Sequence, residues 1–389
     1  VTQDALAPRF DSLQRSALMV GAIGLVLCLV GLVASSEQFF QAYLYAYLFW
    51  LGLTLGSLFM LMLQHLTGGS WGAMIQRPLE AAVTLMPLLA LLFVPLLFGL
   101  TTLYPWTDPA FLARYVLVEA KTAYLNIPFF VARAVVYFAV WIGLAMLFVN
   151  LSRRQDFLGD QGFSLRMRNA GAAGLILLLL SVTFATFDWG MSLEPKWFSG
   201  IYGLLFMSGQ AISSMALVIA VVVLLAHVKP LSAMVNKKRL QDLGNLLLVF
   251  VMFWAYVNVS QLIIIWSGNL VETNPWYVLR LNEAWAPLAL FLVVFHFAIP
   301  FVILFSRWVK SQGRALLWIA AWLIVMRLFD LFWVIVPAFG REGFQLHWLD
   351  LAAITGLGGL WLAGYINRLK RHPLLPLNDP RVLKAVEHG

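Results

Sequence analysis

Arg327 and Asp330 stand three residues apart in a long apolar run, and that spacing puts them on one face of a helix. If such runs cross a bilayer, each charge at depth costs about 2.5–3.5 kcal/mol on insertion scales, so these side chains must face protein and take partners. The same reasoning covers Arg133, Asp188 and His296, each set in an apolar run of its own. Asn258, Ser260 and Gln261, with Gln210, Ser213 and Ser214, add uncharged polar groups at comparable depth. Two readings stand side by side. The set could converge on one pocket that binds a hydroxyl or carbonyl headgroup, or that lets protons reach water. It could equally be ion pairs and hydrogen bonds that hold a helix bundle together.

A second cluster is His65, Arg77 and Glu80, joined through Thr67-Gly68-Gly69-Ser70-Trp71-Gly72. Pro78 suits the first turn of a helix, so a helix is expected to open there, with Glu80 among unsatisfied N–H groups that favour its anion. The chemistry would be proton entry, with His65 titrating near neutral pH. The plainer reading is a helix-start carboxylate paired with Arg77. The glycines do not make a phosphate loop, because no Gly-Lys-Ser/Thr follows them. His227 and Asp242 repeat the fifteen-residue spacing of His65 and Glu80, 162 positions later. Thr84 is nearly alone between the two clusters, so a proton wire would need water, for which Pro87, Pro95 and Pro300 free backbone carbonyls. Haem is poorly served: His347, His372 and His388 fall in loops or the tail, and His296 has no mate at its depth. The single cysteine, Cys28, excludes a disulfide framework, a CxxCH haem site and a four-cysteine cluster. Any redox metal centres therefore belong to partners.

What must position these residues is a membrane domain. Of 389 residues, 62% are apolar and 11% charged, against about 45–50% and about 25% in soluble domains. Mean hydropathy is +0.85. Ten segments reach the roughly 20 residues a spanning helix needs: 17–35, 41–64, 79–103, 127–151, 169–187, 199–226, 243–266, 285–306, 315–336 and 348–367. The first resembles a signal peptide in length but is read as a retained helix. The net charge of +8 sits in short loops, as topology determinants do, and does not indicate nucleic acid. Nineteen Lys and Arg fall at the termini and alternate loops and five in the opposite loops, so both termini are expected to be cytoplasmic. Trp106, Trp189, Trp197, Trp266, Trp276, Trp285, Trp333 and Trp348 crowd the opposite ends, which suits anchoring at the headgroups, or a docking floor for another subunit. The matched His/acid pairs suggest two parallel four-helix bundles, 41–187 and 199–336 (helices 2–5 and 6–9), flanked by the first helix and by a last helix with tail, 348–389. The expectation is an all-α, single membrane domain over 1–389.

Several blocks resemble one family: 66–72 (Leu-Thr-Gly-Gly-Ser-Trp-Gly) with Arg77 and Glu80, the proline-bearing run 85–95, Leu103-Tyr104-Pro105-Trp106, Phe187-Asp188-Trp189, Met191-Ser192-Leu193-Glu194-Pro195, Trp197-Phe198-Ser199, and 261–276. Together they look like the ActF membrane subunits of bacterial alternative complex III, which are similar to the NrfD and polysulfide-reductase anchors. The resemblance implies a subunit of a quinol:electron-acceptor oxidoreductase in the bacterial inner membrane, oxidising menaquinol or ubiquinol. Implied partners are an iron–sulfur/molybdopterin-like subunit, multihaem cytochrome c subunits and the sister anchor ActC. Haem c and iron–sulfur clusters would lie in those partners, with no cofactor covalently bound to this chain. Quinol oxidation could fall here or in ActC. For a quinol pocket the candidates are Asp188, Arg133, Asp330, Arg327 and His296, a carboxylate or imidazole accepting the proton. For proton movement the candidates are these five together with His65, Glu80, His227 and Asp242. A stand-alone secondary transporter with a midplane site and a purely structural anchor are the competing classes.

Overall fold

In hydrocarbon a backbone must satisfy its own N–H and C=O groups, and these apolar runs do so as helices. The computed structural model describes residues 6–376 and 378–382; Lys384 and His388 of the tail lie outside them. Among the described residues ten helices are long and apolar enough to span: α1 Ala7–Ala34, α2 Ser36–Thr67, α3 Ser70–Phe98, α4 Ile127–Leu158, α5 Gly162–Leu193, α6 Tyr202–Leu224, α7 Lys237–Gly268, α8 Ala286–Phe305, α9 Gly313–Phe339 and α10 Trp348–Lys370. Each expected segment falls on one of them.

The most buried spans are α2 and α6. Helix α2 packs on α3, α5, α6 and α10, while α6 packs on α2, α5, α7 and α9. Along the chain α3 meets α4, α4 meets α5, α7 meets α8, and α8 meets α9. Small residues let the two inner helices approach. A Cβ on Gly56 would lie 2.7 Å from the Gln210 carbonyl carbon and 2.9 Å from Ser214 Cβ. One residue on, the Ser57 and Ser214 hydroxyls sit 3.1 Å apart.

Helix α1 runs antiparallel against α10. Gly21 lies on Gly359, Gly24 on Gly356 and Gly31 on Leu349. Lys370 closes the far end of this pair on Asp11 at 2.6 Å and Gln14 at 2.7 Å. That places the starts of α1 and the tail at one end of the molecule, called the terminal end below. At Gly24 an added Cβ would sit 2.7 Å from Gly356 Cα and 2.8 Å from the Ala352 carbonyl oxygen. Replacing Gly24 with Leu is therefore expected to cost about 1–3 kcal/mol or more. Limited proteolysis checks this: the connection at Ser35 should become cleavable in the variant and stay protected in the parent.

Helix α3 corrects the sequence reading. Gly68 (φ 72°) and Gly69 (φ 95°) turn the chain within two residues, and the helix opens at Ser70. Pro78 is thus interior, and Glu80 lies well inside the helix, away from the unsatisfied N–H groups expected to favour it. The interruption comes later, at Thr84–Leu85, where Pro87 supplies no N–H to the turn before it. Between α6 and α7 the connection is residues 225–236. The matching fifteen-residue spacings therefore do not mark matching connections.

The opposite end is covered by the short helices and turns of 99–126, 194–201, 269–285 and 340–347. Here lies the second correction. Trp106, Trp189, Trp197, Trp276, Trp285 and Trp333 are buried, and only Trp266 and Trp348 of the eight are exposed. Most of the band neither anchors at headgroups nor forms a docking floor; it is the core of this cap. Trp197 stacks on Trp276 with centroids 4.9 Å apart, and Trp276 meets Trp333 edge-on. Trp106 donates to Ser192 Oγ, Trp285 to the Arg341 carbonyl and Trp333 to the Arg280 carbonyl, each at 3.2 Å. An indole with a local acceptor gains nothing further from the interface.

Candidate functional site

On α9 the i,i+3 spacing delivers what it promises: Arg327 ion-pairs with Asp330, both buried. Gly209 on α6 leaves the room that the Arg327 guanidinium fills. Asp330 Oδ2 also accepts from Trp254 Nε1 on α7 at 3.3 Å. Its other oxygen, Oδ1, is buried with no partner. Asp330 forms part of the wall of a cavity of about 250 Å³ between α7, α8 and α9. The rest of that wall is nearly all apolar, including Trp254, Leu262, Tyr277, Leu292, Phe297 and Trp333, with Asn258 the other polar member. Leu262, Tyr277 and Leu281 also border a groove of about 480 Å³ that runs on past Ile265 and Trp266.

His296 reaches the same neighbourhood through a local irregularity. Residues Val293–Ala298 form a wide π-turn just ahead of Pro300. Pro300 has no N–H to return to this turn, and the Phe295 carbonyl instead accepts from Trp322 Nε1 at 2.8 Å. The result turns His296 inward, fully buried, with its ring 4.4 Å from that of Trp254. Neither imidazole nitrogen has a well-formed hydrogen bond. Trp254 touches both His296 and Asp330.

Arg133 and Asp188 form a separate site between α4 and α5. Arg133 holds Asp188 with two bonds of 2.8 Å, and Tyr137, one turn on from Arg133, donates to Asp188 Oδ2 at 2.7 Å. The guanidinium also lies 3.8 Å from the Tyr124 ring centroid and 4.4 Å from that of Phe129. Asp188 does not line the Asp330 cavity. The polar residues of the two halves thus do not converge on one pocket: the Asp188 carboxylate is closed by Arg133 and Tyr137, whereas Asp330 Oδ1 and both His296 nitrogens stay without well-formed hydrogen bonds.

At the terminal end, Arg77 pairs with Glu80 and with Asp156 of α4. Gln76 donates to Glu80 Oε1 and to Ser152 Oγ, both at 2.9 Å. The tail completes the cluster: Arg381, held by Asp379, donates to Gln64 Oε1 at 2.6 Å and to Gln76 Oε1 at 2.9 Å. His65 stacks on Phe148 at 5.7 Å, its Nε2 buried without a partner. His227 is exposed, and neither it nor Asp242 takes part in an ion pair among the described residues. The second His/acid pair is not built like the first.

Sequence reasoning missed several members of these sites. Tyr137 carried a signal, four residues after Arg133 on one helical face. Arg381 carried none, since it acts across more than three hundred positions. Arg280, counted only as a loop charge, is buried in the cap, bonded to Glu194 at 2.6 Å and the Val334 carbonyl at 2.7 Å. Among the described residues no group of three or more His, Cys, Asp and Glu is placed to hold a metal ion.

The fold and its buried ion pairs define a multi-pass α-helical membrane protein. No protein-family model matches the sequence, and no curated protein matches it either.

Proposed function

We propose that the chain is the integral membrane subunit of a bacterial quinol:electron-acceptor oxidoreductase of the alternative complex III type, and that the cavity between α7, α8 and α9 receives the quinol headgroup. One observation carries this: a mostly apolar cavity of about 250 Å³ whose wall includes a buried carboxylate with one oxygen free to accept. A quinol ring needs an apolar slot and an acceptor for its hydroxyl. Asp330 Oδ1 offers the acceptor, and the groove along Leu262, Tyr277 and Leu281 offers a track for an isoprenoid tail.

In this reading a quinol hydroxyl donates to Asp330 Oδ1. Arg327 and Trp254 occupy Oδ2 and fix the carboxylate in place. Oxidation breaks two O–H bonds. The protons pass to Asp330, with His296 against Trp254 as a second acceptor, and the two electrons leave to one-electron metal centres. Those haem c and iron–sulfur centres would belong to partner subunits (cytochromes, an iron–sulfur/molybdopterin-like subunit), with ActC as sister anchor. The cluster of His65, Arg77 and Glu80 would then serve proton movement at the cytoplasmic end.

The test is binding of a short-chain menaquinone analogue to the purified chain in detergent, followed by tryptophan fluorescence. Wild type should bind, and Ala255→Trp, which fills the cavity, should weaken binding about tenfold or more, a loss of about 1.4 kcal/mol. Equal binding by both, or none by wild type, refutes the placement.

A further inference from the structure

A cleft at the terminal end is lined by Arg77, Glu80, Arg153, Arg368, Leu369 and His372, among others. Its charges do not balance. Glu80 is already taken by Arg77 and Gln76. Arg153 and Arg368 have no carboxylate partner among the described residues; the Arg153 guanidinium instead lies 2.9 Å from His372 Nε2. Arg77 itself keeps its Nε buried without a hydrogen bond. The field of this cluster is visible in His372: burial, then Arg153 and Arg77, hold its imidazole below the ordinary histidine range, with Glu80 opposing them and Arg368 adding the smallest lowering effect.

Place and size narrow the ligand. Arg368 lies in the last turn of α10 and Arg153 near the matching end of α4, where spanning helices leave the apolar layer. The enclosed space is about 10 Å³, room for one oxygen-sized atom. A phosphate fits that description: one phosphoryl oxygen enters while the group sits at the mouth. Basic pockets between spanning helices take anionic headgroups in this way.

We propose that this cleft binds a phosphate group, that of an anionic lipid headgroup or a free phosphate ion, with Arg153 and Arg368 as its principal ligands. The site does not depend on the quinol reading. It is tested on the full chain in mild detergent by native mass spectrometry, comparing phosphatidylglycerol with phosphatidylcholine, and the wild type with Arg153→Gln/Arg368→Gln. Both arginines are at least partly exposed, so the double variant is expected to fold, with unchanged elution on gel filtration as the check. Each basic side chain beside an anionic headgroup is worth about fivefold in affinity, so the double variant should bind phosphatidylglycerol about twenty-fivefold more weakly. Competition by millimolar inorganic phosphate would assign the site to the free ion, and resistance to it to the lipid. Equal retention of both lipids by wild type without phosphate binding, or no loss in the double variant, overturns the proposal.

Discussion

Arg133→Leu is expected to destabilise the folded chain by about 3–5 kcal/mol, the cost of leaving one member of a buried ion pair without its partner. Asp188 is fully buried, and of the hydrogen bonds to its carboxylate only the one from Tyr137 would survive. The converse substitution, Asp188→Leu, strands a guanidinium that still has the Tyr124 carbonyl at 2.8 Å and two aromatic faces. It should cost less. The double variant Arg133→Leu/Asp188→Leu should recover much of the loss, because replacing both partners with apolar groups removes the desolvation penalty together with the attraction. Thermal unfolding of the four proteins in one detergent gives the cycle. Additive losses would mean that the two charges do not act as a unit, and the structural role assigned to them here would fail.

The spans were legible because backbone satisfaction in hydrocarbon leaves a run of twenty apolar residues few alternatives. What composition could not give was the local chemistry at helix ends. Pro78 looked like a first-turn proline, yet the turn was made earlier, by the positive-φ glycines Gly68 and Gly69. Both signals were in the sequence, and the glycine pair is the stronger, since few other residues adopt φ of 72° and 95° in succession. The tryptophans misled for a related reason. Their positions at helix ends suit an interface equally well, and only the cap built by 99–126 and 269–285 decides that Trp197 stacks on Trp276 and that Trp276 meets Trp333 edge-on.

The candidate site was legible to the level of pairs on a helix and no further. Arg327 with Asp330 follows from spacing alone. Which carboxylate meets which arginine across helices does not, because it depends on rotation and depth that no single segment encodes. Asp188 and Asp330 read alike in sequence. In the fold, Asp188 is closed by Arg133 and Tyr137, whereas Asp330 keeps one oxygen free beside a cavity. The π-turn that presents His296 was foreshadowed by Pro300, but the Trp322 indole that donates to the Phe295 carbonyl lies on another helix.

That difference between two similar aspartates sets the remaining expectation, which rests on the proposed quinol reading. In the intact complex from native membranes, Asp330→Asn should lower quinol:acceptor turnover by about 10²–10⁴-fold, the range for losing a positioned proton acceptor. Asparagine keeps the side chain's shape and can still accept from Trp254 and Arg327, so quinone binding should change far less than turnover. Asp330→Glu, which restores a carboxylate slightly displaced, should recover part of the rate. A loss of turnover with KM nearly unchanged identifies an interaction made at the transition state, whereas a loss of assembly would show only the ion pair. Asp188→Asn is the internal comparison: its carboxylate is held by Arg133 and Tyr137 and does not line the Asp330 cavity, so its effect should appear in thermal stability and leave turnover per assembled complex within about twofold of wild type. If the two variants behave alike, the unpartnered oxygen of Asp330 has no part in proton transfer, and α7–α9 contribute scaffold alone.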